Sequence, residues 1–164
     1  MLAHDGIAAV EDIRSILPSE ERLAKGPVAI IECFQNIPCD PCYHSCKRGA
    51  IKEFNDINER PQVLLDKCNG CGNCMSRCPG LAIFVVDATY SENEAIVKIP
   101  YEFLPIPEVN ELVTTVNRAG QEIGEGKVIK VQNSTAQDRT AVIWLAVDKN
   151  LMMETRHFRV KEVR

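Results

Sequence analysis

The chain has 164 residues, a formal charge of −4 and a pI near 5.4, which excludes the concentrated basic face of a nucleic-acid binder. Its 45% hydrophobic and 26% charged content is that of a globular protein, and 5% aromatic content with one tryptophan, Trp144, leaves no base-stacking platform. No apolar run approaches the ~18 residues of a membrane span, and Met1-Leu2-Ala3-His4-Asp5 is not a basic start to a leader, so the expectation is a soluble cytoplasmic protein.

Residues 1–26 read as a polar amino-terminal extension with one clear helix start, Pro18-Ser19-Glu20-Glu21, where Ser19 can cap and the acids meet the positive helix end. Gly26-Pro27 closes it. The segment is too small for a core of its own and is expected to lie against the next module or a partner.

Residues 27–99 hold all eight cysteines, between positions 33 and 78. In an exported chain that number suggests disulfides; without a secretion signal it points to metal or redox chemistry. The segment contains an internal repeat. Val28-Ala29-Ile30-Ile31 and Val63-Leu64-Leu65 each read as a short strand running into cysteines, and Ala50-Ile51 and Leu81–Val86 as the apolar stretches that leave them. Cys39-x2-Cys42-x3-Cys46 matches Cys71-x2-Cys74-x3-Cys78, and Gly49-Ala50-Ile51 matches Gly80-Leu81-Ala82-Ile83 with one residue inserted.

From Pro100 the texture changes. Pro100, Pro105 and Pro107 suggest a linker, after which Leu112–Val116, Lys127–Val131, Thr140–Val147 and Phe158–Val163 read as strands, with Arg118-Ala119-Gly120 as a turn and Asn133-Ser134-Thr135 as a loop. Residues 100–164 are therefore expected to form a small all-β, barrel-like module, since an open sheet would leave long exposed edges. The fold class is α+β.

The run Cys68-x2-Cys71-x2-Cys74-x3-Cys78-Pro79 resembles the bacterial-type two-[4Fe–4S] ferredoxins. The first half departs from that pattern in Cys33-x5-Cys39 and in Lys47 after Cys46, where the family usually has proline. The resemblance covers residues 28–87 and implies a pseudo-twofold domain with crossed ligation. One cluster would take Cys68, Cys71, Cys74 and Cys46, and the other Cys33, Cys39, Cys42 and Cys78. A three-iron cluster, or an inert buried Cys33, remains the alternative for the second set. Structural zinc would need paired spacing, which two triplets with trailing cysteines do not follow.

Lys47, Arg48, Lys67 and Arg77 lie within a residue or two of these cysteines and are either cations that favour a reduced cluster or ordinary solvated charges. His4, His44 and His157 have no nucleophile or acid partner at a recognisable spacing, Gly124-Glu125-Gly126 reads as a turn or bulge, and Met152-Met153 as core or interface. No catalytic residue and no flavin or nicotinamide site is visible.

With Ile31-Glu32-Cys33-Phe34-Gln35, Ile37-Pro38-Cys39-Asp40-Pro41-Cys42 and the added β-module, the layout resembles the small iron–sulfur subunits of multi-subunit flavin-dependent dehydrogenases acting on amines or imino acids such as proline. That resemblance implies a non-catalytic subunit relaying electrons through two [4Fe–4S] clusters, with flavoprotein partners. A free soluble ferredoxin or a zinc-stapled interaction module are the alternatives.

Overall fold

The structure, a computed structural model, describes residues 2–160. Three short helices lead the chain: α1 (Leu2–Asp5), α2 (Val10–Ile13) and α3 (Glu20–Leu23). Ser19 caps α3 by accepting from the Arg22 amide at 3.2 Å, with Glu20 and Glu21 in the first turn. Gly26 then turns the chain at φ +107° into β1 (Val28–Ile31).

Six further strands follow: β2 (Ile83–Asp87), β3 (Glu94–Tyr101), β4 (Leu112–Val116), β5 (Glu122–Gln132), β6 (Ala141–Asp148) and β7 (His157–Val160). All seven form one antiparallel sheet in the order β1-β2-β3-β6-β5-β4-β7. One core contains Val28 and Ile30 from one end of the sheet, Phe158 from the other, and Val97, Val113, Ile143 and Leu145 between them. The sheet therefore curls so that its two ends share an interior. The opposite face of β1 and β2, with Ala29, Ile31, Ile83 and Val85, packs on Cys42, Cys74, Met75 and Ile51. Burial on both faces explains why these strands read as unbroken apolar runs.

The β-rich segment after residue 100 differs from the separate barrel expected of it. Its strands β4, β5, β6 and β7 continue the sheet that β1–β3 begin, joined through β3 and β6, which pair from Glu94↔Asp148 to Tyr101↔Ala141. Strand β3 straddles position 100 and was hidden by Pro100, which reads as a linker residue. Pairing with β2 ends at Lys98↔Val85, so Pro100 has a ladder partner on the β6 side and none on the other, and an edge of that kind is where a missing N–H is tolerated. Strand β4 has the expected bounds, β5 and β6 extend or trim theirs by a few residues, and the expected closing strand is β7, with 161–163 outside the described residues. Asn133-Ser134-Thr135 leads into a 3-10 turn, Thr135–Gln137, capped by Ser134. The glycines at 124 and 126 lie in β5 beside a register shift opposite Thr115 and Val116.

The cysteine segment is organised by two crossed backbone contacts. The lead-in of the first half pairs with the exit of the second, through Ile31↔Ile83 and the Glu32 amide donating to Ala82 O at 2.8 Å. The lead-in of the second pairs with the exit of the first, through Ile51↔Val63 and the Leu64 amide donating to Ala50 O at 2.7 Å. This second contact is an isolated bridge and not the strand expected at Val63–Leu65, because a turn begins at once, with the Lys67 and Cys68 amides donating to Leu64 O. The bridge also corrects the repeat alignment. Gly49 and Leu81 both adopt positive φ, +58° and +50°, three residues after Cys46 and Cys78, so Gly49 matches Leu81, not Gly80, and no residue is inserted. At Gly49 a Cβ would meet nothing within 4 Å, so Gly49→Ala isolates the backbone cost of the left-handed conformation. It is expected to lower stability by about 1–2 kcal/mol in urea unfolding.

Candidate metal centres

The crossed pairing sorts the cysteines into two groups. Cys46 precedes Ala50-Ile51, which lies against the segment leading to Cys68, and these join Cys71 and Cys74 around one cavity of about 370 Å³, open mouth included. Cys78 precedes Ala82-Ile83, which lies against the segment leading to Cys33, and these join Cys39 and Cys42 around a second cavity of about 370 Å³. Between Cys39 and Cys46 the chain forms helix α4 (Pro41–Ser45), and between Cys74 and Cys78 the 3-10 turn Met75–Arg77.

Counting from the paired residues Ile31 and Val63, Cys39 and Cys71 each lie at the eighth following position. The position in the first half that matches Cys68 is therefore Asn36, whose side chain donates to Asn58 O and accepts from Arg60. Cys33 stands three residues upstream of it but still lines the same cavity as Cys39, Cys42 and Cys78. The x5 spacing is thus a displaced cysteine on a loop of unchanged length.

Amides point at the sulfurs in a repeated pattern. Ala50 N donates to Cys46 Sγ at 3.2 Å and Ala82 N to Cys78 Sγ at 3.4 Å, each four residues on. The Ala29 and Gly70 amides both donate to Cys68 Sγ at 3.4 Å. Burial pushes the Cys74 thiol up to about 12 and the Cys42 thiol up to about 11, with the neighbouring cysteines adding to it. Cys33 and Cys39 are raised for the same reasons. Such thiols ionise when a cation offsets their mutual repulsion, the behaviour of ligands whose protons leave on metal binding.

The donor sets suit a polynuclear centre. Among the described residues no three His, Cys, Asp or Glu side chains converge closely enough to hold a single ion, whereas each group of four thiols is spread around a cavity. Tetrahedral zinc requires sulfurs about 2.3 Å from one metal; a cube of iron and sulfide spreads its ligands over four corners.

Buried cations, all missed in the sequence, hold the loops in place. Arg22 of α3 donates through Nε to Leu65 O (2.7 Å), through Nη1 to Gly26 O (3.0 Å), and through Nη2 to Pro27 O (3.0 Å) and Cys68 O (2.6 Å). Lys98 of β3 is buried and donates to Gly70 O at 2.7 Å. Gly70 itself, at φ +63°, sits so close to the turn before β1 that a Cβ would stand 2.6 Å from Pro27 Cβ. At the other cavity, Glu32 precedes Cys33 and accepts from Arg118 Nη2 (2.6 Å) and Arg156 Nε (2.7 Å) on Oε1 and from Arg118 Nε on Oε2 (2.9 Å). Burial would raise the Glu32 carboxyl, but the two arginines outweigh it and hold the group below its usual 4.5.

Of the cations flagged by position, Arg48 lines the first cavity, Arg77 is paired with Asp138 at 2.8 Å on the surface, and Lys47 and Lys67 are exposed. His44 lies 3.0 Å from Asp40, His157 packs among Tyr101, Phe103 and Phe158, and Met152 and Met153 pack on the main core.

Residues 61–84 match the 4Fe-4S binding domain family. This segment is similar to ferredoxin-type iron–sulfur domains. It is 43% identical over 47 residues to pyruvate synthase subunit PorD of Methanocaldococcus jannaschii, covering 29% of this chain and 52% of that protein. It is 40% identical over 45 residues to ketoisovalerate oxidoreductase subunit VorC of Methanothermobacter marburgensis (25% and 57%), and 36% identical over 58 residues to ferredoxin-type protein NapF of Haemophilus influenzae (34% and 33%). The chain thus spans between a third and just over half the length of the curated relatives it matches. No solved structure matches it. Among the described residues no helix is long and apolar enough to cross a membrane.

Two substitutions test the anchoring. Arg22→Met leaves four carbonyls without their donor and is expected to cost about 3 kcal/mol or more, and to lower iron content at the Cys68 loop. Arg22→Lys, a point charge without the fork, does not restore either. Glu32→Gln removes the carboxylate that Arg118 and Arg156 share, leaving Arg118 the half-exposed Glu154 at 3.5 Å, and is expected to cost about 3–5 kcal/mol at pH 7. Because the folded carboxyl is depressed, its contribution is present above the unfolded value near 4.5 and lost as pH falls through the lower folded one. The stability gap between wild type and Glu32→Gln, read by urea unfolding, therefore narrows below about pH 4.5.

Proposed function

We propose that this chain is an electron-transfer iron–sulfur subunit carrying two [4Fe–4S] clusters within a flavin-dependent dehydrogenase complex that oxidises amines or imino acids. The observation that carries the two-cluster reading is the pair of similar cavities, each bordered by four cysteines, three from one half of the repeat and one from the other. A cluster in each supplies a one-electron store. The chain's own residues hold it: Cys46, Cys68, Cys71 and Cys74 at one site, and Cys33, Cys39, Cys42 and Cys78 at the other. The Ala29, Ala50, Gly70 and Ala82 amides offset the negative charge at Cys68, Cys46 and Cys78.

Cys71 is the exposed member of its set, while Cys74 and Cys42 are buried, so the first site opens to the surface where a redox partner can approach. Beside it a groove of about 860 Å³ is lined by His44, Lys47, Cys71, Arg77, Gln132 and Gln137. The names of PorD and VorC, each a subunit of an oxidoreductase or synthase, support a role inside a complex. They also favour a second reading, a subunit of a 2-oxoacid oxidoreductase, over a freely diffusing ferredoxin. Residues 1–26 and 100–164 would then be the surfaces that fix the chain in its complex.

Metal and sulfide analysis of anaerobically purified protein is expected to give about eight irons per chain and two interacting EPR signals. Cys33→Ser is expected to reduce iron to about seven or fewer, and Cys78→Ser to damage the centre at Cys33, Cys39 and Cys42 while sparing the other. Full iron and intact signals in Cys33→Ser would show that Cys33 is not a ligand. Recovery from the native host in a stoichiometric complex with flavoproteins supports the dehydrogenase assignment; partners without flavin favour the second reading, and a lone chain that exchanges electrons at full rate with diffusing donors overturns both.

A further inference from the structure

The repeat makes the two cysteine sets alike, but their surroundings are not. On the sheet face turned toward the cysteines, Lys98 of β3 pairs across the strands with Trp144 of β6, which pairs in turn with Lys130 of β5. Lys98 is only 4% exposed, and its Nζ stands 3.8 Å from the Trp144 ring centroid on one side and 2.7 Å from Gly70 O on the other. Lys130 Nζ lies 4.9 Å from the same ring centroid, and the indole N–H donates to Gln132 Oε1 at 2.7 Å, which fixes the ring. Gly70 belongs to the loop between Cys68 and Cys71 and lines the first cavity, whose wall also includes Arg48.

At the second cavity the buried cations are Arg118 and Arg156, and among the described residues they are engaged with Glu32, and Arg118 also with Glu154, rather than with a loop between two cysteines. Glu59 lines it and Asp40 lies beside Cys39. Arg60 acts on Cys33 from the nearby groove, while Glu32 is already matched to Arg118 and Arg156. One site thus has a buried lysine bonded to the residue that precedes Cys71, with Asp87 also acting on that lysine, and at the other the cations are shared with carboxylates. A charge held out of water acts on a neighbouring centre far more strongly than an exposed one, and local charge is among the determinants of cluster potential.

We propose that Lys98 is a positioning and tuning residue that holds the reduction potential of the centre at Cys46, Cys68, Cys71 and Cys74 above that of the centre at Cys33, Cys39, Cys42 and Cys78. One electron supplied by an outside one-electron donor then moves from the Cys33 site to the Cys71 site and rests beside the exposed cysteine. The transfer makes and breaks no bond and moves no proton. The inference rests on the two-cluster reading above, and the experiment separates the two.

Potentiometric titration of the anaerobic full chain, followed by EPR, reads the midpoint of each centre together with iron content. In wild type the centre lost in Cys71→Ser is expected to have the higher midpoint. Lys98→Gln keeps a donor for Gly70 O and removes the charge; it is expected to lower that midpoint and leave the other unchanged. Lys98→Arg is expected to restore it. If Lys98→Gln fails to load the first centre, Lys130→Gln, more exposed and farther from the ring, is expected to lower the same midpoint by a smaller amount. Two loaded centres with midpoints that do not respond to either variant, or that shift together, overturn the role of Lys98 alone. Failure of wild-type protein to load two centres overturns the two-cluster reading and this inference with it.

Discussion

The arrangement of the cysteines depends on one constraint, the crossed backbone pairing in which each half of the repeat begins against the end of the other. Ile31↔Ile83 and Ile51↔Val63 are its two contacts. A chain that runs from such a pair into a cysteine triplet must deliver the trailing cysteine to the opposite site, because that cysteine immediately precedes the exit segment. Cys46 and Cys78 each stand five residues before the exit partner, at Ile51 and Ile83. The four-thiol grouping around each cavity then follows from where the backbone is held and needs no further long-range contact.

That pairing alone would leave the loops between the cysteines free, since they are short, rich in turns and carry few apolar anchors. Buried cations hold them. Arg22 binds two carbonyls of the Cys68 segment and two of the Gly26-Pro27 turn at once, so helix α3 serves to place a guanidinium. Glu32 is gripped from Arg118 and Arg156, far along the chain. The amino-terminal helices and the carboxy-terminal strands are thereby tied to the two cysteine loops. A free unit made of residues 27–99 would lose Arg22, Arg118 and Arg156 together, and with them the partners of four carbonyls and a buried carboxylate.

Much of this was legible. The strand at Val28–Ile31, the bounds of Leu112–Val116, the Ser19 cap and the doubled cysteine triplet all follow from local pattern. Strand β3 did not, because Pro100 signals a break unless one knows that β2 stops short of it. The alignment of Gly49 with Gly80 failed for a similar reason: identity of residue type suggested it, whereas the shared positive φ belongs to Gly49 and Leu81. Arg22, Lys98 and Arg156 were invisible as structural residues, since charged side chains are by default exposed and only the fold reveals which carbonyls surround them. The four cations chosen for closeness in sequence to the cysteines are all exposed; the lysine buried beside a cysteine loop comes from 27 residues past Cys71.

The displaced Cys33 shows how a repeat can diverge without losing its geometry. The distance along the chain from the paired residue to the second cysteine is the same in both halves, so moving the first cysteine three residues upstream, with Asn36 in the vacated position, leaves Cys39, Cys42 and Cys46 where the repeat requires them. It also brings the thiol directly after Glu32 and its two arginines, onto a strand end held by three charged hydrogen bonds. In the second half the matching thiol, Cys68, lies in a turn and relies on Arg22 for the same service. The two halves thus reach similar cysteine cages by different means, one by placing the thiol next to an anchored strand end and the other by bringing an anchor to the thiol.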